Sequence, residues 1–570
     1  MELNVRISGS AGQGVQTIGY ILSKVFAGGG HEVFSVQDYM SRIRGGHNYF
    51  QIRASDKNIH CKNDVLDILV ALNLESIEID KGDVKDGGII VYDGSKEGSG
   101  VNSECHNCVN VPFVSLANDS AGDKIYANTV AVGAVLGFIG YDLNILYDVL
   151  NEHFSHSKSA DVIKNNISAA KAGADSAKDS GVNLDGLKYI STAKAKKMLI
   201  NGNEAIALGA LAAGCKFFCS YPMTPSTSIL VTAAKYSHEF DVVVEQAEDE
   251  IAAVNMIIGS SYAGVRSMTT TSGGGYCLMV EGIGFAGMAE IPIVIVNSQR
   301  SGPSTGLPTR TEQGDLLFAI NASHGDFPRI VLAPSTPKDA FYLTIKAFDL
   351  SEKYQVPVTI LDDQYLADSY VTIKEFNLNK VKNRDHIIDT DELNNAEEYF
   401  RYTITSSGVS KRALPGQSRH VVISDSDEHT TDGHLTEDLT VGVEMKDKRA
   451  NKLWHIMREM ELPSAFGSPA AKITLITWGS TFGVAQELLL KSNGKFNLIN
   501  IQEVWPLSAE FFKINLEGKR GIAIEGNSTG QMARLIRQIS GIKVDSVLKY
   551  DGRPFTLDYL ENQLIEMEVL

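Results

Sequence analysis

The chain has 570 residues, which is enough for three or four domains of ordinary size rather than one compact unit. Hydrophobic residues make up 43% and charged residues 21%, close to the averages of soluble globular proteins. With 52 basic and 69 acidic residues the net charge is −17, and such an acidic chain repels a nucleic-acid backbone.

The sequence shows no export or membrane signal. The N-terminus runs directly into a strand pattern and a glycine-rich turn, without the basic and apolar regions of a signal peptide. The most apolar stretch, Thr129–Ile139, is well short of the ~20 residues that a membrane-spanning helix needs. We therefore expect a soluble, cytoplasmic protein with neither a membrane nor a nucleic acid as partner.

Six cysteines are scattered along the chain, too few for the disulfide framework of a secreted protein. Cys105 and Cys108 have the CxxC spacing and could supply two metal ligands. A metal or iron–sulfur site normally needs about four ligands, and no second CxxC exists. We expect ordinary thiols and no metal site on this chain.

The first part of the chain alternates short apolar runs with helical stretches. NVRISG, DVLDILVALN and GGIIVYDG have the composition and the polar boundaries of buried strands. This alternation predicts a doubly wound α/β domain at residues 1–185. Its end is marked by Ser168–Gly186, a polar segment that breaks the apolar rhythm.

A second α/β domain is predicted at residues 195–372. Its pattern contains a helix, EAIALGALAAGC, and the strands FFCSYP, IPIVIVNS and VPVTILDD. Residues 373–470 are polar and poor in periodic apolar segments, which indicates an extended bridging or partner-facing region. A last α/β unit at residues 471–570 carries the strands ITLITWG, LINIQEV and GIAIEGN. The fold class is therefore multidomain α/β.

Two glycine-containing motifs lie in the first domain. Gly9, Gly12 and Gly14 form a GxxGxG turn between a strand and a helix, where backbone N–H groups favour an anion. The spacing disfavours a nicotinamide cofactor, and it suits a phosphate-bearing ligand and a merely tight turn equally well. Arg42 and Arg44 precede paired glycines, so they are either phosphate or carboxylate contacts or solvated surface charges.

The second domain carries a proline-framed polar motif, Ser220–Thr227, directly after a strand. Pro222 and Pro225 bracket Thr224 and restrict its backbone. We expect the hydroxyls of Thr224, Ser226 and Thr227 to cap the next helix and to form a rigid pocket rim. A plain helix cap explains the hydroxyls but does not require the prolines.

Acidic residues follow, at the start of a helix of small residues that ends at Gly264. Most of them need no more explanation than the favourable interaction of acids with a helix N-terminus. One buried carboxylate among them can instead hold a proton at a ligand nitrogen. After the strand IPIVIV, Arg300 stands among Gly, Pro and Ser, where an α/β sheet binds anions and where a guanidinium suits a carboxylate.

Taken in order, these motifs resemble the 2-oxoacid:ferredoxin oxidoreductases in which a small γ-type domain is fused in front of the α subunit. The resemblance covers nearly the whole chain. It depends most on YPMTPST, EDEIAAV with TTTSGGG, QRSGPSTGLPT, SDEHTTDGHLTED (Ser426–Asp438) and EGNSTGQ (Glu525–Gln531).

The resemblance implies a γ-type domain, a pyrimidine-binding domain for thiamine diphosphate and a C-terminal domain like that of transketolase, which serves assembly. It also implies a separate β subunit that shares the cofactor and carries Mg²⁺ and an iron–sulfur cluster, since this chain shows neither motif. The expected partners are that β subunit, ferredoxin and a 2-oxoacid, in an (αβ)₂ heterotetramer.

The same resemblance implies roles for individual residues. Glu250 is the carboxylate that protonates N1′ of the aminopyrimidine ring. Thr224 and Arg300, with Thr309 as a third, bind the substrate. Arg42, Arg44 and the turn formed by Gly9, Gly12 and Gly14 lie near the channel for coenzyme A, which accepts the acyl group.

The implied reaction is the coenzyme A-dependent oxidative decarboxylation of a 2-oxoacid, with 2-oxoglutarate, converted to succinyl-CoA, as the preferred substrate. Pyruvate and branched-chain 2-oxoacids stay open, because one arginine explains only one carboxylate. A protein without catalysis that serves assembly or binds a nucleotide is the other alternative, and Glu250 distinguishes it.

Overall fold

The chain folds into two units in the computed structural model, which describes residues 2–42, 45–95, 108–155, 160–182, 184 and 197–570. Unit 1 consists of Met1–Ile200 and Asp368–Phe376, and unit 2 of Asn201–Ala367 and Asn377–Leu570. The chain therefore leaves unit 1, returns to it for one short segment and then completes unit 2.

The first two hundred residues contain seven strands and six α-helices within the described ranges. The strands are β1 (Glu2–Ala11), β2 (Glu32–Asp38), β3 (Gly45–Ser55), β4 (Leu66–Ala71), β5 (Val84–Tyr92), β6 (Cys108–Asn110) and β7 (Lys197–Ile200). The helices are α1 (Val15–Gly28), α2 (Leu74–Asp80), α3 (Phe113–Ala121), α4 (Ala127–Phe138), α5 (Leu143–Ser155) and α6 (Ala160–Asp179).

The rest of the chain alternates strands and helices in the same way. Its strands are β8 (Phe217–Ser220), β9 (Val243–Gln246), β10 (Ser267–Thr271), β11 (Ile293–Gln299), β12 (Ile330–Leu332), β13 (Pro357–Asp363), β14 (Tyr370–Lys374), β15 (Ser464–Gly467), β16 (Ile473–Trp478), β17 (Phe496–Ile501), β18 (Glu503–Trp505), β19 (Arg520–Glu525) and β20 (Asp545–Leu548).

The first helix of this part of the chain, α7 (Gly202–Ala212), starts with a capping box, in which the side chain of Asn201 accepts a hydrogen bond from the backbone N–H of Glu204. The helices are α7, α8 (Thr227–Lys235), α9 (Ser237–Phe240), α10 (Glu250–Tyr262), α11 (Gly273–Leu278), α12 (Val280–Met288), α13 (Leu316–Asn321), α14 (Pro337–Tyr354), α15 (Gln364–Asp368), α16 (Thr390–Asn395), α17 (Leu439–Glu459), α18 (Thr481–Lys491), α19 (Ala509–Leu516), α20 (Gln531–Ser540) and α21 (Leu557–Glu566).

The sheet of unit 1 has the strand order β6-β5-β4-β1-β3-β2-β14-β7. Its first four strands are parallel, as expected for a doubly wound domain. From β1 onward every pairing is antiparallel, up to β14 and β7. The predicted α/β class is confirmed, whereas the antiparallel half of this sheet was not predicted.

The two faces of this sheet differ in polarity, because successive side chains of a strand point to opposite faces. Leu3, Val5 and Ile7 of β1 pack in an apolar core together with residues of α1 and α4. Arg6, between them, is buried as well and donates to Asp80 at 3.0 Å. Strand β1 is therefore buried on both faces although some of its residues are polar.

Unit 2 contains a seven-stranded sheet with the order β18-β12-β13-β11-β10-β8-β9 and a five-stranded sheet with the order β15-β17-β16-β19-β20. The strands of the first are parallel except β18, which comes from the C-terminal segment and pairs antiparallel with β12. Ile295 of one sheet and Trp478 of the other belong to the same apolar core. The two sheets therefore form one packed body.

The polar segment before α17 is held by buried charges. Residues 377–438 contain only short helices among the described elements. Glu290, which is fully buried, accepts hydrogen bonds of 2.6 and 2.8 Å from Lys448 of α17 and an ion pair from Lys452. Arg401 donates to the backbone carbonyl of Glu290 at 2.8 Å. Glu290, just after α12, thus holds α17 through its carboxylate and the polar segment through its backbone carbonyl.

The structure bears on two predictions from the composition, the absence of a membrane-spanning helix and the state of the cysteines. Among the described residues no helix is long and apolar enough to cross a membrane. Cys61, Cys215, Cys219 and Cys277 are free thiols. Cys108 is disulfide-bonded, which corrects the expectation of a free thiol there, and Cys105 lies outside the described residues.

Candidate active site

Three motifs of unit 2 meet at one edge of its parallel sheet. YPMTPST follows β8, TTTSGGG follows and overlaps β10, and QRSGPSTGLPT starts at the end of β11. These strands are neighbours in the sheet, and the carboxyl ends of parallel strands form the usual ligand-binding edge. The hydroxyl of Thr271 lies 3.8 Å from the sulfur of Met223, which joins two of the motifs.

Glu250 is the first residue of α10 and is only 3% exposed. The helix starts there because the side chain of Asp249 accepts a hydrogen bond of 2.7 Å from the backbone N–H of Ala252. Among the described residues, nothing hydrogen-bonds to Oε1 of Glu250. A buried carboxylate oxygen without a partner costs free energy, so this atom is suited to a group that the protein itself does not supply.

A glycine turn packs directly against this carboxylate. A Cβ atom placed on Gly275 would lie 2.6 Å from Oε1 of Glu250 and 2.1 Å from the hydroxyl of Thr271. Side chains do not fit at such distances, so only glycine allows α11 to lie this close to Glu250. The TTTSGGG motif therefore lies in contact with the carboxylate of Glu250.

Arg300 and Thr224 lie together, as predicted. Nη1 of Arg300 donates to the backbone carbonyl of Thr224 at 2.9 Å, and the bond from Thr224 to Pro225 is cis. Partial burial lowers the pKa of Arg300 from its ordinary value, and an arginine side chain keeps its charge in proteins. A half-buried cation at this edge of the sheet suits the carboxylate of a small ligand.

The proposed role of the hydroxyls in the YPMTPST motif is wrong in one respect. Ser226 occupies the cap position of α8, but no side-chain bond caps the helix there. Its hydroxyl instead donates to the backbone carbonyl of Met223 at 2.8 Å. The backbone of Ser226 is already helical, with φ −69° and ψ −16°, instead of extended as in typical capping residues, and its hydroxyl bonds within the motif rather than to the helix N–H groups.

Thr309 lies at the end of the loop that starts with Arg300. The loop closes on itself, because Leu307 donates to the backbone carbonyl of Ser301 at 3.0 Å. Thr309 is 8% exposed, so its side chain faces the interior of this loop region. A Cβ atom on Gly274 would lie 3.8 Å from the carbonyl oxygen of Ser304, so the loop also approaches the glycine turn beside Glu250.

Three further residues at this edge were missed by the sequence analysis. Ser272 and Asn297 are fully buried, and Oγ of Ser272 and Oδ1 of Asn297 have no hydrogen-bond partner among the described residues. Asp315 accepts a hydrogen bond of 3.1 Å from the amide of Asn297. Asn297 is the first polar residue after the apolar run IPIVIV, and this position at the end of a strand is what could have identified it as a site residue in the sequence.

The GxxGxG turn of unit 1 is held by its own side chains. The backbone N–H of Ser10 donates to Oε1 of Gln13 at 2.6 Å, and Gln13 accepts from Asn73 at 2.9 Å. Gly12 and Gly14 have positive φ angles of 91° and 87°. A tight turn explains these two glycines, and their proposed role at a phosphate stays a prediction.

The remaining predicted residues of unit 1 lie nearby in the sequence. A Cβ atom on Gly9 would lie 2.8 Å from Oε1 of Gln13, so this position also requires glycine. Arg42 is exposed, and its backbone N–H donates to the carbonyl of Met40 at 2.7 Å. Arg44 lies outside the described residues.

The EGNSTGQ motif joins the two sheets of unit 2. Its Gln531 donates to the backbone carbonyl of Gly314 at 2.6 Å and accepts from the backbone N–H of Leu317 at 3.0 Å. In return, Gln313 exchanges hydrogen bonds of 2.6 and 2.8 Å with the backbone of Gly526. The motif therefore serves assembly within the chain, next to the segment that carries Asp315.

We expect the substitution Gln531→Ala to destabilise the chain, because it leaves two backbone groups at the start of α13 without their partners. The loss should be about 1–3 kcal/mol. Urea unfolding followed by tryptophan fluorescence measures it. Gln538→Ala, at an exposed position of the same helix, is the matched control. Equal midpoints of urea unfolding for the two variants would contradict the role of Gln531 in joining the two segments.

Comparisons with known proteins agree with this geometry. The family model described as pyruvate flavodoxin/ferredoxin oxidoreductase, thiamine diP-bdg, matches residues 208–447, and the model described as pyruvate ferredoxin/flavodoxin oxidoreductase matches residues 4–176. The first match includes Glu250, Thr224 and Arg300.

Relatives of known name cover the whole chain. The 2-oxoacid:ferredoxin oxidoreductase subunit alpha of Sulfolobus sp is 34% identical over 100% of this chain and 97% of its own length. The KorA subunit of 2-oxoglutarate synthase from Methanothermobacter thermautotrophicus is 30% identical over 65% of this chain and 99% of its own.

A solved structure gives the same result. The 2-oxoglutarate:ferredoxin oxidoreductase from Magnetococcus marinus superimposes with a TM-score of 0.90 at 31% identity and covers 100% of both chains. The predicted family is confirmed. This chain belongs to the 2-oxoacid:ferredoxin oxidoreductases, as an alpha subunit with a thiamine diphosphate-binding domain.

Proposed function

We propose that this subunit, with its partners, catalyses the coenzyme A-dependent oxidative decarboxylation of a 2-oxoacid and passes the electrons to ferredoxin. The observation that carries the proposal is the buried, unpartnered Oε1 of Glu250 at the ligand-binding edge of the sheet. It lies in the segment that matches the thiamine diphosphate-binding family model. The proposed substrate is 2-oxoglutarate, converted to succinyl-CoA.

The residues at this edge fit thiamine diphosphate. Glu250 offers a buried oxygen without a hydrogen-bond partner that can hold a proton at N1′ of the aminopyrimidine ring, and the absence of a side chain on Gly275 lets α11 pack against this carboxylate. When bound, the cofactor supplies a thiazolium ring that accepts the electrons of the carbon–carbon bond that breaks. Burial of Glu250 keeps competing water away from this proton.

Substrate binding is proposed for Thr224, Arg300 and Thr309. The guanidinium of Arg300 is fixed by the carbonyl of Thr224, so its remaining N–H groups are available to the carboxylate next to the reacting carbonyl. The choice of 2-oxoglutarate is supported by the similar 2-oxoglutarate:ferredoxin oxidoreductase from Magnetococcus marinus, which has 2-oxoglutarate, coenzyme A and succinyl-CoA bound.

The four segments of the chain have different proposed roles. Residues 1–185 form the γ-type domain, where Arg42, Arg44 and the turn of Gly9, Gly12 and Gly14 contact coenzyme A. Residues 195–372 bind the pyrimidine part of the cofactor. Residues 373–470 form the bridging region, and residues 471–570 serve assembly.

A β subunit is proposed to complete the site and to carry the Mg²⁺ and the iron–sulfur cluster, in an (αβ)₂ heterotetramer located in the cytoplasm. Apolar side chains are exposed on the elements around Glu250, at Ile251, Met256 and Leu278, with exposed fractions of 44–51%. Such side chains are typical of a surface that a partner covers.

Arg300→Lys tests the substrate contact. Lysine keeps the charge but lacks the planar fork, so we expect the KM for the 2-oxoacid to rise about 10- to 100-fold, as for the loss of a charge-assisted hydrogen bond. The effect on kcat should be smaller. Steady-state kinetics of the complex measure both, with Arg553→Lys at an exposed ion pair as control. A KM equal to that of the wild type would contradict the assignment.

The decisive experiment is the reduction of an electron acceptor by this chain co-purified with its β partner. Turnover is measured with 2-oxoglutarate, pyruvate and a branched-chain 2-oxoacid, each with and without thiamine diphosphate and coenzyme A. We expect turnover that requires both additions and is fastest with 2-oxoglutarate.

Each other outcome changes a defined part of the proposal. Turnover with pyruvate or the branched acid alone keeps the reaction and replaces the substrate. Turnover without an acceptor contradicts the redox step. Absence of turnover with all three acids, in a complex that binds thiamine diphosphate, favours a subunit without catalysis.

A further inference from the structure

Two carboxylates contact the same glycine turn. A Cβ atom on Gly275 would lie 2.6 Å from Oε1 of Glu250, and a Cβ atom on Gly273 would lie 2.6 Å from Oδ2 of Asp315. Neither distance admits a side chain. The turn is therefore in contact with Glu250 through one glycine and with Asp315 through another.

Asp315 is itself fixed by the end of β11. Its backbone N–H donates to Oε1 of Gln299 at 3.0 Å, and its Oδ2 accepts from the amide of Asn297 at 3.1 Å. Gln299 is anchored in turn, because its amide donates to the carbonyl of Asp362 at 3.2 Å. Asn297 and Gln299 are both fully buried, so neither has room to move.

These contacts connect the two halves of the site. Gln299 is followed directly by Arg300, which is proposed to bind the substrate. Asp315 therefore stands between the strand that carries Arg300 and the turn that carries Gly275. Burial raises the pKa of Asp315, and the amide of Asn297 opposes this effect, so the carboxyl group depends on that amide for its environment.

We propose that Asp315 is a positioning residue, which sets the place of the Gly273–Gly275 turn and thereby the position of the Glu250 carboxyl group relative to the cofactor ring. The inference rests on the proposed function. Asp315 acts through the turn and does not itself touch the substrate or the cofactor in this proposal. Its importance lies in geometry, since catalytic groups lose efficiency with small displacements.

The test compares Asp315→Ala and Asp315→Asn in the complete complex. One readout is the rate of deuterium exchange at C2 of bound thiamine diphosphate, which needs neither ferredoxin nor coenzyme A. Others are kcat, the KM for the 2-oxoacid, the Kd for thiamine diphosphate and the melting temperature. For Asp315→Ala we expect exchange and kcat to fall about 100-fold, the effect of a displacement of roughly 1 Å.

The KM should change little, because the residues that bind the substrate stay in place. Asp315→Asn should recover most of the exchange rate, since its amide oxygen can still accept from Asn297. An exchange rate in Asp315→Ala equal to that of the wild type overturns the proposal, and so does a loss that Asp315→Asn shares in full.

Two outcomes keep this inference separate from the proposed function. If the wild-type complex binds thiamine diphosphate and does not accelerate exchange, the proposed function fails. If the wild type accelerates exchange and Asp315→Ala does so equally, only the positioning role fails. Should Asp315→Ala not fold, Asn297→Ala removes the amide that holds Oδ2, and the same exchange measurement decides.

Discussion

A complex that contains Glu250→Gln is expected to lose about 10²- to 10⁴-fold in the rate of 2-oxoacid oxidation, the contribution of a positioned acid–base group. Glutamine has the shape of glutamate and can form hydrogen bonds, but it cannot hold or release a proton at N1′. The site should therefore still form. Acceptor reduction with 2-oxoglutarate measures the rate, and fluorescence quenching on addition of thiamine diphosphate checks that the cofactor binds.

Glu248→Gln is the matched control, because it makes the same chemical change two residues away at an exposed position. Its rate should equal that of the wild type. A Glu250→Gln complex with full activity would refute the assignment of this carboxylate. A variant that binds the cofactor and is inactive would also exclude a subunit that serves assembly alone.

The second large effect is expected on stability, from Glu290→Gln. The carboxylate of Glu290 is buried against Lys448 and Lys452, both with no solvent exposure. Removing one partner of a buried ion pair costs about 3–5 kcal/mol, because the other charges are left without compensation. The substitution should shift the midpoint of urea unfolding to lower urea. It should also loosen α17, which limited proteolysis can detect.

The effect depends on pH in a defined direction. The lysines and Arg401 hold the pKa of Glu290 below its ordinary value of 4.5, so this carboxylate stabilises the wild type above that pH, and the contribution is lost as the pH falls below it. Burial lowers the pKa of Lys452 to about 7 from 10.5, so between these values the folded chain binds fewer protons than the unfolded chain. This difference in proton binding makes the folded state more stable as the pH rises from about 7 to 10.5.

In Glu290→Gln the loss of stability comes from the lysine charges that no carboxylate compensates. The difference in the free energy of unfolding between the variant and the wild type should therefore become smaller as the pH rises and the lysines become neutral. Glu392→Gln is the control, since Glu392 pairs with Lys411 at an exposed site where an ion pair contributes little. A Glu290→Gln midpoint equal to that of the control would show that the buried cluster does not stabilise α17.

The parallel strands were the predictable part of the fold. Strands such as β11 and β13 are runs of apolar residues bounded by polar ones, and such runs are visible in one sequence. The antiparallel half of the first sheet was not predictable, because β3 alternates buried residues such as Phe50 and Ile52 with polar ones that are also buried, such as Gln51. Strand β14, which pairs with β2, lies more than three hundred residues away from β2 in the sequence.

The site divides in a similar way. Arg300 stands at the end of a strand, where the local chemistry points to an anion contact. Glu250 stands in an acidic cluster at a helix start, and the family resemblance, rather than the local pattern, selected it from that cluster. Asn297 and Asp315 gain their meaning only from contacts across the sheet edge, and no local spacing specifies those contacts. The hydroxyl of Ser226 was assigned to the wrong partner because the helical backbone conformation of Ser226 cannot be seen in the sequence.

The return of the chain to unit 1 limits how this protein can be divided. Strand β14 contributes Tyr370 and Val371 to the pairing with β2, and four residues to the pairing with β7. A polypeptide that ended at residue 184 would lack both strands, and the edge of β2 would be open to any other strand. If the N-terminal part were a separate polypeptide, another chain would need to supply this strand or to cover the edge of β2. In the fused chain β14 covers that edge, which protects the N-terminal part against aggregation.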